Sequence, residues 1–329
     1  MTYIGARNST FQEISNTFYF DKNIQQFSEG YKNYFDCCNQ VKSSVQFYNA
    51  NSLWIQQGLV LNSEFLKLNK EYFSASLNFV DFTLSAEDSR KIINSWVEKN
   101  TNNKINDLLK PSSIDEATRL ILVNALYFNG PWKTPFLKEK NTKEDFQIQK
   151  HEYVQSVYMN TVINSWYFEN KHLQIVDLPY EDDQYVLTII LPKTYKKLRK
   201  VEKILDNVFY SNYISNKEKR SVSLLLPKFQ IDSEFDLNKT LSDLGIKEAF
   251  TGAANFSGIT EKEKLYISKV VHKAKISIDE EGTEADAATA VSMRKTSIIL
   301  KDVDFKVTRP LIYILTNLNN NCIYFIGIV

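Results

Sequence analysis

Residues 280–297 read EEGTEADAATAVSMRKTS, and the fold turns on how this stretch is understood. Every second residue from Thr283 is small or apolar: Thr283, Ala285, Ala287, Thr289, Val291 and Met293. Between them stand Glu284, Asp286, Ala288, Ala290, Ser292 and Arg294, which are polar or small. A period of two with one apolar face marks a half-buried strand. Alanine, however, is a weak strand former. Glu280, Glu281 and Glu284 ahead of an alanine run would equally suit the first turn of a helix. A segment that is a loop in one state and a strand in another would carry both signals. The flanks favour the strand: KLYISKVVHKAKISID (264–279) is strand-like, and residues 303–329 hold two apolar runs parted by a turn at 317–321, the pattern of a buried hairpin.

The chain has 329 residues, of which 43% are hydrophobic and 24% charged, enough for a large core. No apolar run reaches the length of a membrane span. The start, MTYIGARNSTFQEI, has no basic segment followed by an apolar one, so no signal peptide is visible and the compartment is undetermined. A net charge of +1 argues against a general nucleic-acid binder. One basic cluster stands out after Pro192: Lys193, Lys196, Lys197, Arg199, Lys200 and Lys203, expected on a loop and helix and read as a solvated face, with a polyanion site as the sharper alternative. Cys37, Cys38 and Cys322 are an odd number, and the adjacent pair is not spaced for zinc, so no disulfide framework follows.

No Pro- or Gly/Ser-rich linker divides the chain, and no repeat is present. Helix is expected over 34–47, strand near 51–55 and helix near 63–73. Ser85 with Asp88 makes a capping box for a helix whose Ile92, Ile93, Trp96 and Val97 share a face. The run RLILVNALYF (119–128) is apolar on both alternating sets, which predicts a strand covered on both faces. Residues 175–179 and 185–191 read as a hairpin turned by Glu181, Asp182 and Asp183; 222–229 reads as a strand, and 235–244 as a helix stopped by Gly245. The mixture lacks the regular alternation of a doubly wound sheet.

Catalytic motifs are absent: no G-x-S-x-G, P-loop, H-E-x-x-H or G-x-G-x-x-G occurs. The three histidines, His151, His172 and His272, are not at metal spacing from one another or from a cysteine. No metal, cofactor or enzymatic activity is therefore expected, although a hydrolase triad assembled from distant positions is the third reading in play. His272 lies in a strand-like run and is expected to be a buried, hydrogen-bonded core residue.

From residue 4 to the C-terminus the chain resembles the serpin family. The resemblance is carried by INSWVEKNTNNKINDLL (93–109), LILVNALYFNGPW (120–132), VYMN (157–160), LPY (178–180), LPKF (226–229) and LNKTLSDLGIKEAF (237–250). It continues through ANFSGIT (254–260), LYISKVVHKAKISIDEEGTEADAAT (265–289) and the closing FKVTRPLIYIL and IYFIGIV. It implies an α+β fold: a single serpin domain over 1–329, with three mainly antiparallel sheets, about eight helices and a reactive-centre loop near 280–300. It also implies a suicide inhibitor of serine proteases. The protease cleaves the loop and forms an acyl-enzyme, and the loop then inserts as a central strand of the main sheet and traps the protease. The alternative within the family is a non-inhibitory carrier or chaperone. A monomer with no nucleic-acid or membrane partner is expected, forming a covalent complex with an elastase-, trypsin- or cathepsin G-like serine protease.

By position, the resemblance places the hinge at Glu280, Glu281, Gly282, Thr283, Glu284, Ala285, Asp286, Ala287, Ala288 and Thr289. The small inserting side chains suit entry into a packed core, and Gly282 is expected to let the hinge rotate. About ten new ladder hydrogen bonds at ~1 kcal/mol each would supply a driving force on the order of 10 kcal/mol, opposed by ordering entropy. Family spacing, seventeen positions counted from Glu280, sets the bait bond at Thr296–Ser297. Lys295–Thr296 is the alternative, because Arg294 and Lys295 are better trypsin-type handles, and Met293 would suit a chymotrypsin-like enzyme. Lys228 and Glu280 match a family ion pair at the top of the main sheet. Asn124 and His272 match a hydrogen-bonded pair under the sheet opening, and Trp132 the tryptophan where the loop first inserts. The resemblance begins within what is the family's second helix, so an incomplete start is expected in preference to a genuine short form.

Overall fold

The structure is a computed structural model that describes residues 1–39, 44–73, 76–283 and 302–329. Along the chain run α1 (Thr2–Gly5), α2 (Asn8–Phe18), α3 (Ile24–Asn39), β1 (Gln46–Gln56), α4 (Ser63–Tyr72), β2 (Ser76–Val80) and α5 (Phe82–Asn100). Next come β3 (Leu120–Pro131), β4 (Thr142–Gln149), β5 (Glu152–Glu169), β6 (Leu173–Pro179), β7 (Tyr185–Pro192), α6 (Leu198–Glu202) and α7 (Asn207–Asn216). The remainder is β8 (Glu218–Pro227), β9 (Phe229–Asp236), α8 (Asn238–Asp243), β10 (Lys269–Ile278), β11 (Gly282–Thr283), β12 (Val303–Lys306), β13 (Ile312–Asn317) and β14 (Cys322–Ile328). Among the described residues there are eight α-helices and two hydrogen-bonded sheet systems, an α+β fold. No helix among them is long and apolar enough to cross a membrane.

Two units are distinguished by their internal contacts. Counting described residues, the first comprises 1–39, 47–73, 76–127 and 232–275. Here β1 pairs in parallel with β2, and residues 121–127 of β3 pair in parallel with 269–275 of β10. Parallel strands covered on both faces need no polar face, which is why 119–128 reads as unbroken apolar sequence. Leu53, Ile55 and Leu120 enter one core with Phe65, Phe73 and Phe256, whereas Trp54, Ile121, Val123 and Tyr127 enter another with Phe82, Ile93 and Val97 of α5.

Segment 101–118, which follows α5, is held down by side chains. Three lysines of β10 donate to its carbonyls: Lys269 to Ser113 (3.3 Å), Lys273 to Asn106 (3.0 Å) and Lys275 to Lys104 (3.4 Å). From α5, Arg90 and Asn94 both donate to the carbonyl of Leu109, at 2.7 and 3.0 Å. Lys273 is buried and is accompanied by Asp232 at 3.6 Å and Glu234 at 3.9 Å, so its charge is paired as well as hydrogen-bonded.

The second unit comprises 44–46, 128–231, 276–283 and 302–329, again counting described residues. Its strands run β12-β8-β5-β6-β7-β13-β14, with β4 added on β5. The two smaller sheets expected from the family are joined here through β5. Its 18 residues pair with β4 at one end, β8 along the middle and β6 at the other. One core is built from Leu173, Ile175, Ile190, Val201, Tyr213, Ile312 and Ile314.

Several local expectations shift. Helix was expected over 34–47, but α3 starts at Ile24, and β1 already includes Gln46 and Phe47. Ser85 does interrupt α5 (φ −144°, ψ 51°), yet the side chain that caps its start is Asp81, whose Oδ1 accepts from Leu84 N–H at 3.0 Å. Residues 235–236 extend β9, leaving the short α8, which ends before Gly245 at φ 120°. The C-terminal hairpin is buried throughout in β13. In β14, at the end of its sheet, Ile323, Ile326 and Ile328 are exposed.

Candidate functional site

The two residues of β11 stand between β3 and β10 in the sheet order β2-β1-β3-β11-β10-β9. Gly282 lies opposite Pro131 and Thr283 opposite Gly130, antiparallel to β3, while Ile278 of β10 lies opposite Thr283. The turn that delivers them is built by Asp279. Its Oδ1 accepts from the N–H groups of Glu281 (2.9 Å) and Gly282 (3.1 Å), and its own N–H donates to the carbonyl of Gly282 (2.9 Å). Burial raises the Asp279 pKa in spite of those two donors.

Glycine is required at 282 for a reason different from the expected rotation. A Cβ there would lie 2.0 Å from the carbonyl oxygen of Gly130, so the approach of two backbones leaves no room for a side chain. Gly130 is itself confined, since its Cβ would meet Val45 at 2.8 Å and Tyr180 at 3.0 Å.

Thr283 is fully buried, and its hydroxyl is 2.5 Å from that of Tyr180. Tyr180 is also fully buried and stacks on Trp132, with ring centroids 4.6 Å apart. Trp132 fixes the same turn twice: its indole N–H donates to the Asp279 carbonyl and its backbone N–H to the Glu281 carbonyl, both at 2.9 Å. Buried aromatics with polar tips behave this way, filling volume while finding a partner for the tip.

Glu280, whose side chain is 3% exposed, accepts from Lys228 at 2.9 Å and from Asn141 at 2.5 Å. Burial alone would raise its pKa, but the donors Asn141 and Lys228 outweigh it and hold the carboxylate below its usual range. The pair is one-sided in its exposure: Glu280 is enclosed and only the Lys228 end reaches solvent. Glu281, by contrast, makes a surface pair with Lys138 at 2.7 Å, an arrangement that contributes little.

In the first unit, His272 Nδ1 and Asn124 Oδ1 are 2.6 Å apart, and the two residues are opposite each other in the β3–β10 register. The Asn124 amide N–H₂ donates to Asn51 and, at 3.1 Å, to Asn49 of β1, so the amide bridges from β10 to β1. Burial lowers the His272 pKa. The neutral ring is thus favoured in the fold, and its stabilisation is complete above the unfolded-state pKa of about 6.5. It is lost as pH falls through the lower folded value. The urea midpoint should therefore fall between pH 7.5 and 5.5, and His272→Gln should flatten that slope while costing about 1–3 kcal/mol at pH 7.5 through its altered partner. Parallel slopes for the two proteins would refute this assignment.

The whole chain, residues 1–329, matches the serpin (serine protease inhibitor) family. The chain is a serpin.

Human Serpin B11 is 30% identical over 348 residues, covering 99% of this chain and 88% of that protein. Human leukocyte elastase inhibitor is 30% identical over 336 residues, with 99% and 88% covered. Human thyroxine-binding globulin superimposes with a TM-score of 0.90 at 26% identity, covering all of this serpin and 87% of that chain. Serpins as a family are protease inhibitors rather than catalysts, and members are named for proteases such as elastase. The same fold is also found in a thyroxine-binding globulin, solved with thyroxine bound.

In this serpin, Glu280, Glu281, Gly282, Thr283, Lys228 and Trp132 come together in the second unit, and Asn124 and His272 meet in the first. Glu284, Ala285, Asp286, Ala287, Ala288 and Thr289 of the hinge, and the bait-bond candidates Lys295, Thr296 and Ser297, lie outside the described residues. Sequence reasoning missed Asn141, Tyr180, Asn49 and Asn51 as partners. The tyrosine was visible inside LPY, but nothing in one sequence pairs it with Thr283, 103 residues away.

Proposed function

We propose that this serpin inhibits a serine protease by suicide, the whole chain acting as one domain. Cleavage in the 284–301 segment yields an acyl-enzyme, and the hinge then extends β11 as a new strand between β3 and β10. One observation carries the reading: hinge residues Gly282 and Thr283 already occupy that position, and Thr283, the leading side chain, is small, uncharged and buried. A strand whose first pair is in register adds residues without a new nucleation event. The bait bond is assigned to Thr296–Ser297, with Lys295–Thr296 as its alternative, and the roles given to Glu280, Lys228, Trp132, Asn124 and His272 are parts of the same proposal.

The test is incubation with elastase, trypsin and cathepsin G, followed by denaturing electrophoresis and mass spectrometry of the released C-terminal peptide. A denaturant-resistant covalent band with at least one protease is expected, with a peptide beginning at Ser297. Cleavage by all three without such a band would refute inhibition and favour the carrier reading, especially if cleavage left the melting temperature unchanged.

A further inference from the structure

The basic cluster after Pro192 is not absorbed by this function. It converges on the β5–β6 turn, around His172. Asn170 Oδ1 accepts from the backbone N–H of His172 (2.7 Å) and of Leu173 (3.1 Å), and Lys193 N–H donates to the His172 carbonyl (2.8 Å). The Lys197 ammonium donates to the Lys171 carbonyl at 2.8 Å, drawing its charge over the turn. Helix α6 is anchored from beneath: Val201 is fully buried, and Leu198 packs on the same core as Leu173. The opposite side of this short helix therefore presents Arg199 and Lys200 to solvent.

The cluster is short of counter-charge. Lys193 is taken by Glu169 at 2.5 Å, and Asp206 caps α7 by accepting from Phe209 N–H. Among the described residues, the side chains of Lys171, Lys196, Arg199, Lys200 and Lys203 make no hydrogen bond or ion pair, and Glu202 is the one carboxylate within 193–203. The His172 Nδ1 is buried with no partner. No large apolar side chain is exposed between 169 and 203, so the surface offers neither a stacking platform for bases nor an insertion face for a bilayer.

We propose that this surface binds a chain of closely spaced phosphate or sulfate groups. His172, Lys171, Lys197 and Lys200 would surround one anionic group, and Lys196, Arg199 and Lys203 would extend the contact. An anion here supplies the charge the cluster lacks and favours a proton on the His172 ring. Burial and the charges of Lys200, Lys197 and Lys171 otherwise hold that ring below its ordinary pKa, with the Lys193–Glu169 pair alongside. Binding is therefore coupled to proton uptake. The surface is independent of the inhibitory loop, so its failure would leave the preceding section untouched.

The test is calorimetric titration of the full chain with inorganic tripolyphosphate and, separately, a sulfated oligosaccharide, at pH 6 and pH 8 in 50 mM and 200 mM salt. Binding of at least one probe is expected, tighter at pH 6 and weakened about tenfold or more by the added salt. The probe that binds identifies the source of the anion. Lys171→Gln with Lys200→Gln should weaken binding about tenfold, while the control pair Lys262→Gln with Lys264→Gln should not. His172→Gln should remove the pH dependence while retaining most of the affinity at pH 8, with an unchanged melting temperature showing that the fold is intact. Absence of binding by both probes, equal loss with the control pair, or tighter binding of single-stranded DNA or anionic vesicles would each overturn the proposal.

Discussion

On the proposed inhibitory mechanism, replacing Thr283 with arginine should turn this serpin from a trap into a substrate: cleavage should continue, while the yield of covalent complex falls about 100-fold. The side chain at 283 is fully enclosed and touches the equally buried Tyr180 hydroxyl. The carboxylates of the site are already engaged: Glu280 by Lys228 and Asn141, Glu281 by Lys138, and Asp279 by the N–H groups of Glu281 and Gly282. Burying an unpaired charge costs several kcal/mol. Trapping is a race between strand insertion and hydrolysis of the acyl-enzyme, and each 1.4 kcal/mol added to the insertion barrier shifts that race about tenfold. A penalty of about 3 kcal/mol therefore suffices. Tyr180→Phe is the control: it removes one hydroxyl partner, costs about 1 kcal/mol and should leave most of the complex in place. A Thr283→Arg protein that still forms complex in full yield would dismiss the idea that this residue leads the new strand.

Reversing the charge at Glu280 should be the most damaging single change to stability. Glu280→Lys sets two ammonium groups about the 2.9 Å contact now made with Lys228 and leaves Asn141 without its acceptor. Breaking a buried pair by altering one partner typically costs 3–5 kcal/mol, to be read as a lower urea midpoint. The exchanged pair, Glu280→Lys with Lys228→Glu, should recover part of that loss. No recovery would mean that the packing of residue 280, rather than its charge, is what matters. The pH dependence is signed. Because the folded carboxylate titrates below its usual range, its stabilisation is present above the unfolded-state pKa of about 4.3 and lost as pH falls through the folded value. The wild type and Glu280→Gln should therefore converge in acid and diverge at neutral pH.

The sequence carried the doubly covered β3, the β6–β7 hairpin and the stop at Gly245, because each rests on local periodicity or on one residue's backbone preference. The entry to α5 was half legible. Ser85 marks a real break, but Asp81, four positions earlier, caps the helix, and both residues satisfy the same local rule. Gly282 was singled out as a glycine worth explaining, yet its explanation is the carbonyl of Gly130, 152 positions away in the chain. The pairings Lys228–Glu280 and Asn124–His272 came from family position. Their physical character did not, because burial of Glu280 and the bridge from Asn124 to Asn49 and Asn51 are properties of packing. Tertiary contacts of that kind leave no periodic trace in a single chain.

The fastening of segment 101–118 onto β10 bears on how this serpin would respond to its ionic surroundings. The acceptors gripped by Lys269, Lys273 and Lys275 are neutral peptide oxygens. Dissolved ions screen such charge–dipole contacts less than they do exposed ion pairs such as Lys138–Glu281 or Lys239–Asp243. On the proposed mechanism, sheet expansion would test these grips, and added salt should alter its rate chiefly through the ion pairs the same lysines make, Lys269 with Asp236 and Lys273 with Asp232.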